Sequence, residues 1–486
     1  MKTVMLGFAI AMLLVFLLLA AGCLDGKSDS HGGSDEVIDD DDDDVDDGAT
    51  INASVKVNPV CSISCIVTWN TDQPADSWVR FGENGTTYQI GSADMVTEHK
   101  VIVIGMHAQT SYKMQARSTT ANGDVLVSGE LHFDAGHLPG SWFTSTVDVN
   151  DETRTAAGWT IANIVRDAGG PFAQIRAAIF DMDGEAVWFY EHETYGQGRG
   201  DIQILMNEQG NVTIGPGVPL GERMFEMNLA GEIVWEGLEQ PFSPQGIFHH
   251  VFHPIGNGEY ITTSMNFEGQ LGADLIKQFN RDLEITWTWN AFEHLDFDPD
   301  DGFFEDWTHV NSIAVDLEEN VTYVNSYHLN AMYKIDRATG EVIWTVGEDG
   351  DFSPDPMAQY PWFANAHSFD PLGDGLFLVY DNGTQLRARS RAIMYRLDEQ
   401  TMESTLVWEY DGDSAADGWF NFSFGDVDML DNGNVLITAG NEAQGWDPTR
   451  LIEVTADGEK VWQLWLDKGV SVYQAERFAP LAKAID

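Results

Sequence analysis

Three histidines lie at similar positions before short apolar segments in the second half of the sequence. His250 and His367 each lie eight residues before the glycine of a turn, Gly258 and Gly375, and His309 precedes a similar segment whose turn is two residues longer. A single histidine at such a position is most often a structural hydrogen-bond partner. Three of them indicate a functional site, because the repetition of a fold does not itself require histidine.

The chemistry open to such a cluster is of two kinds. Three imidazoles can bind a metal such as zinc. Alternatively, one neutral imidazole can attack an electrophile while its neighbours hold oxyanions and protonate the leaving group. Strand alternation predicts that the adjacent His249 points away from the cluster. In the last repeat, Asp426 takes a comparable place, seven residues before Gly433.

The elements that must position these histidines belong to an internal repeat. Six short segments, such as Thr339-Gly-Glu-Val-Ile-Trp344, combine a turn with an apolar run around a tryptophan. Such a period with strand-like content is typical of a β-propeller, so residues 137–486 are predicted to form six blades. The strand before each turn is expected to be the innermost of its blade, and its start should face the axis. The repeated tryptophans are expected to pack between blades: Trp188, Trp235, Trp287, Trp344, Trp408 and Trp462.

Residues 51–136 alternate apolar and polar side chains in short runs, which favours a small β-sandwich. Trp69 is its expected core tryptophan. The segment Met106-x-Ala108-x-Thr110-x-Tyr112 resembles the tyrosine corner of fibronectin type III domains. Cys61 and Cys65 can form a disulfide only if a turn separates them, and they are otherwise two small core residues.

The N-terminus predicts export. Residues 1–23 combine Lys2 with an apolar run and end in Leu-Ala-Ala-Gly-Cys, which resembles a lipobox with Cys23 as the lipidated residue. Ordinary cleavage after a small residue is the alternative. Residues 24–50 include a block of aspartates and are expected to form a disordered acidic tether. We therefore expect a protein outside the cytoplasm, anchored to the membrane only through its N-terminal lipid.

The overall charge and the cysteine count exclude several classes. The 486 residues contain 78 acidic and 25 basic side chains, a net charge of −53, which argues against nucleic-acid binding and against a basic membrane-binding surface. Three cysteines exclude a disulfide scaffold and a multi-cysteine zinc site. The segment Asp296-x-Asp298-x-Asp300-Asp301-Gly302 resembles the start of a calcium loop, but its glycine is one place late and Trp307 stands at the twelfth position. A looser structural calcium site and an acidic surface loop both stay open.

Several motifs in residues 137–486 resemble the bacterial and archaeal arylsulfotransferase family. The most specific is Asp306-Trp-Thr-His-Val-Asn-Ser312. It is supported by His249-His250, Ala366-His367 with Leu378-Val-Tyr-Asp-Asn-Gly383, and Ser390-Arg391-Ala392. The resemblance implies a six-bladed propeller that moves a sulfuryl group from a phenolic sulfate ester to another phenol. It implies no nucleotide donor and no metal cofactor. The expected partners are therefore small phenolic sulfates and phenols, and the oligomeric state is not defined.

The resemblance also implies roles for individual residues. His367 matches the nucleophile that becomes sulfated, His250 and His309 match histidines that contact the sulfate, and Asn311 matches the asparagine that follows the second of these. One departure is that the family often carries Ser-Arg where this chain has Ser326-Tyr327, so a fixed cation is missing. The candidates to replace it among the expected substrate-binding residues are His328 and Arg391, with Arg387 nearby in the sequence.

Two other functional classes stay open from the sequence. One is a metal-dependent hydrolase or lyase in which the three histidines are ligands. The other is a cell-surface propeller that binds glycans or partner proteins without catalysis, because similarity of fold does not determine function.

Overall fold

The structure is a computed structural model that describes residues 49–140, 142–166, 175–191, 203–215, 223–238, 248–297, 305–414, 417–440, 448–467 and 469–485. All of them lie in the compact unit Gly48–Asp486. The predicted signal segment, Cys23 and nearly all of the acidic tether lie outside the described residues and stay predictions. Most of the calcium-like segment, 298–304, also lies outside them. None of the described helices has the length and apolar character needed to cross a membrane.

The described residues form an all-β structure dominated by a six-bladed β-propeller, which confirms the predicted fold class. Each blade is an antiparallel sheet with four strands, and the sixth blade has a fifth strand. In the described ranges, the only α-helix is the single turn Ala291–His294. From the innermost strand outward, blade 1 consists of Val470–Phe478, Trp159–Arg166, Ile175–Phe180 and Ala186–Glu191. Blade 2 consists of Ile204–Met206, Val212–Ile214, Arg223–Met227 and Ile233–Leu238. Blade 3 consists of Phe248–Gly256, Glu259–Glu268, Leu271–Asn280 and Ile285–Asn290. Blade 4 consists of Val310–Asp316, Val321–Ser326, Ala331–Asp336 and Val342–Val346. Blade 5 consists of Ser368–Gly373, Leu376–Asp381, Arg391–Asp398 and Glu403–Tyr410. Blade 6 consists of Asp426–Met429, Val435–Ala439, Arg450–Val454, Lys460–Leu466 and Ser145–Asn150.

The two ends of the propeller sequence close the ring together. The late strand Val470–Phe478 pairs with Trp159–Arg166 and becomes the innermost strand of blade 1. The early strand Ser145–Asn150 pairs with the outermost strand of blade 6. Because both pairings join residues about 300 positions apart, the ring cannot open without breaking two sheets.

The repeated tryptophans lie on the outer strands and connect neighbouring blades. The indole N–H of Trp188 donates to the carbonyl of Leu229, in the turn between the last two strands of blade 2, at 2.9 Å. Trp462 of blade 6 donates to Met182 of blade 1 at 2.9 Å, so the same contact also spans the closure. Corresponding bonds of 2.9 Å join Trp235 to Arg281 and Trp287 to Arg337. The tryptophans therefore pack between blades, as expected from the repeat.

The N-terminal part forms one eight-stranded sheet. Its strands are Ala49–Ile51, Ala53–Asn58, Cys61–Gly82, Tyr88–Val103, Ser111–Thr119, Val125–Ser128, Leu131–Asp134 and the C-terminal Lys483–Ala484. The sequence predicts short runs, but one continuous strand of this sheet, Cys61–Gly82, has 22 residues. Cys61 and Cys65 both lie on it as free, buried residues. The backbone N–H of His107 donates to the Tyr112 hydroxyl at 2.9 Å, and the resemblance to fibronectin type III domains stays a prediction.

Candidate active site

Three consecutive inner strands bring the predicted histidines together near the propeller axis. The ring centres of His250 and His309 are 4.7 Å apart. The Tyr327 ring lies 5.3 Å from that of His309 and 5.0 Å from that of His367, and it therefore connects these two histidines. Tyr473 reaches the same cluster from blade 1, with its ring centre 5.9 Å from His250 and 6.3 Å from His367.

The strand register differs from the prediction that the three histidines occupy equivalent positions. Ser312 pairs with Asn325, and Ser368 pairs with Tyr380 at the corresponding place in blade 5. Asn311, not His309, is therefore the counterpart of His367. His309 corresponds to Asn365, and both residues have a positive φ, 46° and 55°. The equal-position prediction was wrong because it counted residues from the turns and ignored the irregular strand starts.

Blade 3 reaches the cluster through a different irregularity. His249 pairs with Thr263 and Phe252 with Thr262, so His250 and Val251 bulge out of the ladder, and His250 has a φ of 56°. A bulge interrupts the alternation of side chains along a strand. His249 consequently does not point away from the cluster as predicted. Its Nδ1 lies 2.8 Å from the Nδ1 of His250.

The hydrogen bonds around His367 determine which of its nitrogens carries the proton. Its Nδ1 lies 2.9 Å from the Oδ1 of Asn382 and 3.3 Å from the carbonyl of Asn365. The amide of Asn382 is oriented because its Nδ2 donates to the carbonyls of Asn421 and Phe424 at 3.0 and 2.8 Å. Both neighbours of His367 Nδ1 are therefore acceptors, so Nδ1 donates and Nε2 keeps its lone pair.

Burial keeps His367 neutral. The desolvation of the charged form lowers the pKa of His367 to about 3, although the hydrogen bond to Asn382 opposes the shift. Burial also lowers the pKa of His250 well below its ordinary value, and repulsion from His309, His249, His367 and His328 adds to this effect. A neutral imidazole with a free Nε2 is a nucleophile at neutral pH.

A second group of polar residues surrounds His309. Its Nδ1 contacts the carboxylate of Asp306, and the Nδ1 of His328 contacts the backbone carbonyl of the same residue. The rings of His309 and His328 are 4.6 Å apart. Burial lowers the pKa of His328, and repulsion from His309 adds to the effect.

The residues that could bind a metal differ from the three histidines that the sequence suggested. In the ranges that the structure describes, Asp306, His309 and His328 are the only three residues of suitable type whose ligating atoms all lie within 4.8 Å of one another. These residues fit a metal by type, since two histidines and one carboxylate form a common ligand set. A metal would therefore occupy this trio and not the trio His250, His309 and His367.

Two further predicted substrate-binding residues lie at the cluster. Tyr327 is buried, and its hydroxyl donates to the carbonyl of Phe422 at 3.3 Å. Asn311 is also buried. Its Nδ2 lies 3.5 Å from the carbonyl of Ala366, and its Oδ1 has no hydrogen-bond partner among the described residues. The Tyr473 hydroxyl lies 3.4 Å from the backbone carbonyl of Asn311.

Arg391 lies behind His367 and is held by acidic groups. Its Nε donates to Asp381 at 2.7 Å, its Nη1 to Glu409 at 2.6 Å, and its Nη2 to two backbone carbonyls. Arg387 pairs with the same Asp381. Asp381 immediately precedes Asn382, the partner of His367. Arg391 is thus linked to His367 through Asp381 and Asn382, and its contact with a substrate stays a prediction.

Sequence analysis missed one buried ion pair at the site. His249 Nε2 lies 2.8 Å from the carboxylate of Asp274, and both side chains are buried. Asp274 also accepts from the hydroxyls of Thr263 and Thr308 and from the backbone N–H of Val310. The signal available in the sequence was the double histidine His249-His250, but nothing in it indicated Asp274, which lies on the third strand of the same blade.

A cavity of about 320 Å³ continues from His367 along the axis and is lined by acidic groups. Asp370, Asp426, Asp428 and Glu476 line it, and its described lining residues include neither lysine nor arginine. Burial, with repulsion among these carboxylates, raises the pKa of Asp426 to about 7 and that of Glu476 to about 8. The Oδ2 of Asp426 has no hydrogen-bond partner in the described part of the chain.

These acidic groups predict a pH-dependent stability. Because the pKa of Asp426 is higher in the folded than in the unfolded chain, its contribution is complete below pH 4 and is lost as the pH rises through about 7. We expect Asp426→Asn to raise the Tm by about 2 °C or more at pH 8 and by clearly less at pH 5, where only part of the contribution has been lost. Thermal unfolding at both pH values tests this, with the exposed Asp457→Asn on the same blade as the control. Equal shifts at both pH values would contradict it.

The fold and the site together define a propeller enzyme with a histidine-based axial site. A family model described as Arylsulfotransferase (ASST) matches residues 172–472, more than half of the chain. The chain therefore belongs to the arylsulfotransferase family. Membership implies a sulfotransferase that acts on phenolic compounds.

Comparisons with other proteins add little to this assignment. No curated protein matches the chain. Among solved structures, a putative 6-phosphogluconolactonase from Bacteroides uniformis has 10% identity and a TM-score of 0.32, covering 84% of this chain and 100% of its own. Saccharomyces cerevisiae Sqt1 has 9% identity and a TM-score of 0.33, covering 87% and 99%. Scores this low support no argument about function.

Proposed function

We propose that this protein transfers a sulfuryl group from a phenolic sulfate ester to a phenol through a covalent sulfohistidine at His367. The observation that carries the proposal is the tautomer of His367. Two acceptors hold its Nδ1–H, so its Nε2 lone pair is available within the histidine cluster. The arylsulfotransferase match supports the same chemistry.

In the first step, the lone pair of His367 Nε2 attacks the sulfur of the donor. The N–S bond forms while the bond between sulfur and the phenolic oxygen breaks, and the electron pair leaves with the phenolate. A phenolate is a stable leaving group, and splitting the transfer into two steps lowers each barrier. The imidazole carries a positive charge in the intermediate, and the carbonyl acceptors at Nδ1–H stabilise that charge.

The neighbouring side chains hold the sulfuryl oxygens. His250 and His309, whose rings are in contact, bind the oxygens of the sulfuryl group that His367 receives. The Nδ2 of Asn311 is a further hydrogen-bond donor to these oxygens. Tyr327 and His328 line the same space, and we assign them to contacts with the aromatic part of the substrate. Arg391 acts as a positioning residue, because it fixes Asp381 beside Asn382.

In the second step, the oxygen of the acceptor phenol attacks the sulfur. The N–S bond breaks, its electron pair returns to His367 Nε2, and the acceptor becomes the new sulfate ester. The acceptor gives its proton to the Nε2 of His328, whose Nδ1 is held by the carbonyl of Asp306. The phenolate released from the donor takes up a proton from that histidine or from water, so the enzyme returns to its initial state.

We further propose that the reaction takes place outside the cytoplasm, on a chain anchored through lipidated Cys23 and spaced from the membrane by the acidic residues 24–50. The mechanism uses neither a nucleotide nor a metal ion. If a metal binds at Asp306, His309 and His328, it supplies a Lewis acid, and the activity is then of a different class.

A transfer assay tests the proposal. The purified full-length chain is incubated with 4-nitrophenyl sulfate, with and without phenol and without nucleotide, and in the presence or absence of a chelator. We expect nitrophenol release that depends on phenol, formation of phenyl sulfate, and no effect of the chelator. Release that needs no acceptor and stops with the chelator would instead establish metal-dependent hydrolysis. No release with a range of sulfate esters would reject both.

A further inference from the structure

Asp274 is a buried carboxylate in the third strand of blade 3, and its surroundings favour its ionised form. Its side chain is 0% exposed. Burial raises the pKa of Asp274, but the attraction of His249 and the hydrogen bonds from His249, Thr263 and Thr308 outweigh it and hold this pKa below its ordinary value. A carboxylate that is charged in the interior requires a counter-charge, because an unpaired buried ion is strongly destabilising.

His249 is the group that supplies this counter-charge. Its Nε2 is 2.8 Å from Asp274 Oδ1, whereas the other described partners of Asp274 are hydroxyl and backbone donors. The titratable groups facing His249 are Asp274 on the third strand of the same blade, His250 beside it, and His309 of blade 4, whose ring is 5.9 Å away. Asp274 is the only anion in this described set, and its contact with Nε2 favours the imidazolium form of His249.

The charge of His249 determines the tautomer of His250. An imidazolium donates from both nitrogens, so the Nδ1–H of His249 donates to the Nδ1 of His250 across 2.8 Å. His250 is neutral, because burial and its charged neighbours disfavour protonation. Its single proton is therefore on Nε2, which makes that atom a donor.

We infer that His249 and Asp274 are positioning residues that hold His250 as an Nε2–H donor and keep one positive charge beside the sulfuryl site. This inference rests on the proposed function. It accounts for the absence of an arginine at Tyr327, since Arg391 and Arg387 are both paired with Asp381. The ion pair is prepared before the substrate binds, so it requires no rearrangement during the reaction.

Nitrogen NMR of the wild-type full-length chain, labelled with ¹⁵N-histidine, tests the assignment without activity. We expect His249 to have both nitrogens protonated at pH 7 and His250 to be protonated at Nε2. The Asp274→Asn and His249→Gln variants identify the signals. A neutral His249 at pH 7 would overturn the inference, whether or not the variants fold.

The kinetic test uses the same two variants, with the exposed His132→Gln as a matched control that should behave as wild type. We expect both variants to lose about 100-fold in kcat/KM for 4-nitrophenyl sulfate. Loss of Asp274 removes the negative charge that favours the imidazolium of His249, so protonation of His249 then needs a more acidic solution. The deficit of Asp274→Asn should therefore shrink toward pH 5, whereas that of His249→Gln should not.

The two sets of results separate the inference from the proposed function. If the wild type is active but its His249 is neutral, the inference alone is overturned. The same holds if the wild type is active and the pH profiles of both variants run parallel to that of wild type. A protonated His249 in a chain that transfers no sulfuryl group rejects the proposed function and leaves the ion-pair assignment intact.

Discussion

Replacement of His367 by alanine should abolish sulfuryl transfer, with a loss of about 10³-fold or more in kcat. No other imidazole can take its place, because the rings of His250 and His309 are held by different partners on other strands. The measurement is steady-state transfer from 4-nitrophenyl sulfate to phenol. In wild type without acceptor, a burst of one nitrophenol per chain should accompany the addition of one sulfuryl group to the protein.

The alanine variant should show neither the burst nor the mass increase. His132→Ala, a change of an exposed histidine in the N-terminal sheet, is the matched control and should retain both. If His367→Ala keeps the burst while losing turnover, the covalent intermediate forms on another residue. That result would assign His367 to the second step of the reaction only.

The ring of blades could be predicted from the sequence because its repeat has a physical cause. Four of the six repeated tryptophans donate to a turn of the next blade, as Trp188 does to Leu229, so similar residues recur on the outer strands. The indole N–H groups of Trp344 and Trp408 have no hydrogen-bond partner among the described residues. The exchange of end strands could not be predicted. Val470–Phe478 and Ser145–Asn150 carry no residue pattern that distinguishes inner from outer strands. Each of them pairs with a strand at the edge of a blade, and only the folded chain shows which edge strand is still unpaired.

The convergence of His250, His309 and His367 could likewise be predicted, but their register could not. Positive φ values at His250 and His309 displace these side chains from regular strand positions. A positive φ at these positions depends on the packing of the surrounding residues. It cannot be predicted from the residue type alone, because histidine adopts this conformation only in a minority of cases. Long-range partners such as Asp274 and Tyr473 were missed for the same reason, since only the folded sheet places them beside the cluster.

The position of Arg391 shows how the acidic character of the chain influences the site. Asp381 is completely buried and holds both Arg387 and Arg391. To turn toward a substrate, Arg391 would have to give up its bonds to Asp381, Glu409 and two backbone carbonyls. Hydrogen bonds that involve charged groups contribute about 1.5–3 kcal/mol each, so their loss opposes this rotation. The role of Arg391 in the motif Ser390-Arg391-Ala392 is therefore better explained by support of Asn382 than by contact with a sulfonate.

Asn382 provides the second test, because it determines the tautomer of the nucleophile. We expect Asn382→Leu to lower kcat by about 100-fold, since the proton of His367 is then free to move to Nε2 and remove the attacking lone pair. Asn382→Asp retains an acceptor for Nδ1–H and should recover part of the activity. It should also raise the pKa of His367, so that the activity of this variant falls at acidic pH where wild type remains active.

A loss of activity caused by lower stability of the Asn382→Leu variant must be distinguished from a loss caused by the changed tautomer of His367. Asn382→Leu also removes two bonds to the carbonyls of Asn421 and Phe424. Asn207→Leu is the matched control, because Asn207 is a buried asparagine in blade 2 whose Nδ2 donates to Glu226 at 3.1 Å. It should lower the Tm without lowering kcat. If Asn382→Leu lowers only the Tm and keeps wild-type kcat, the amide supports the fold, and another contact orients the nucleophile.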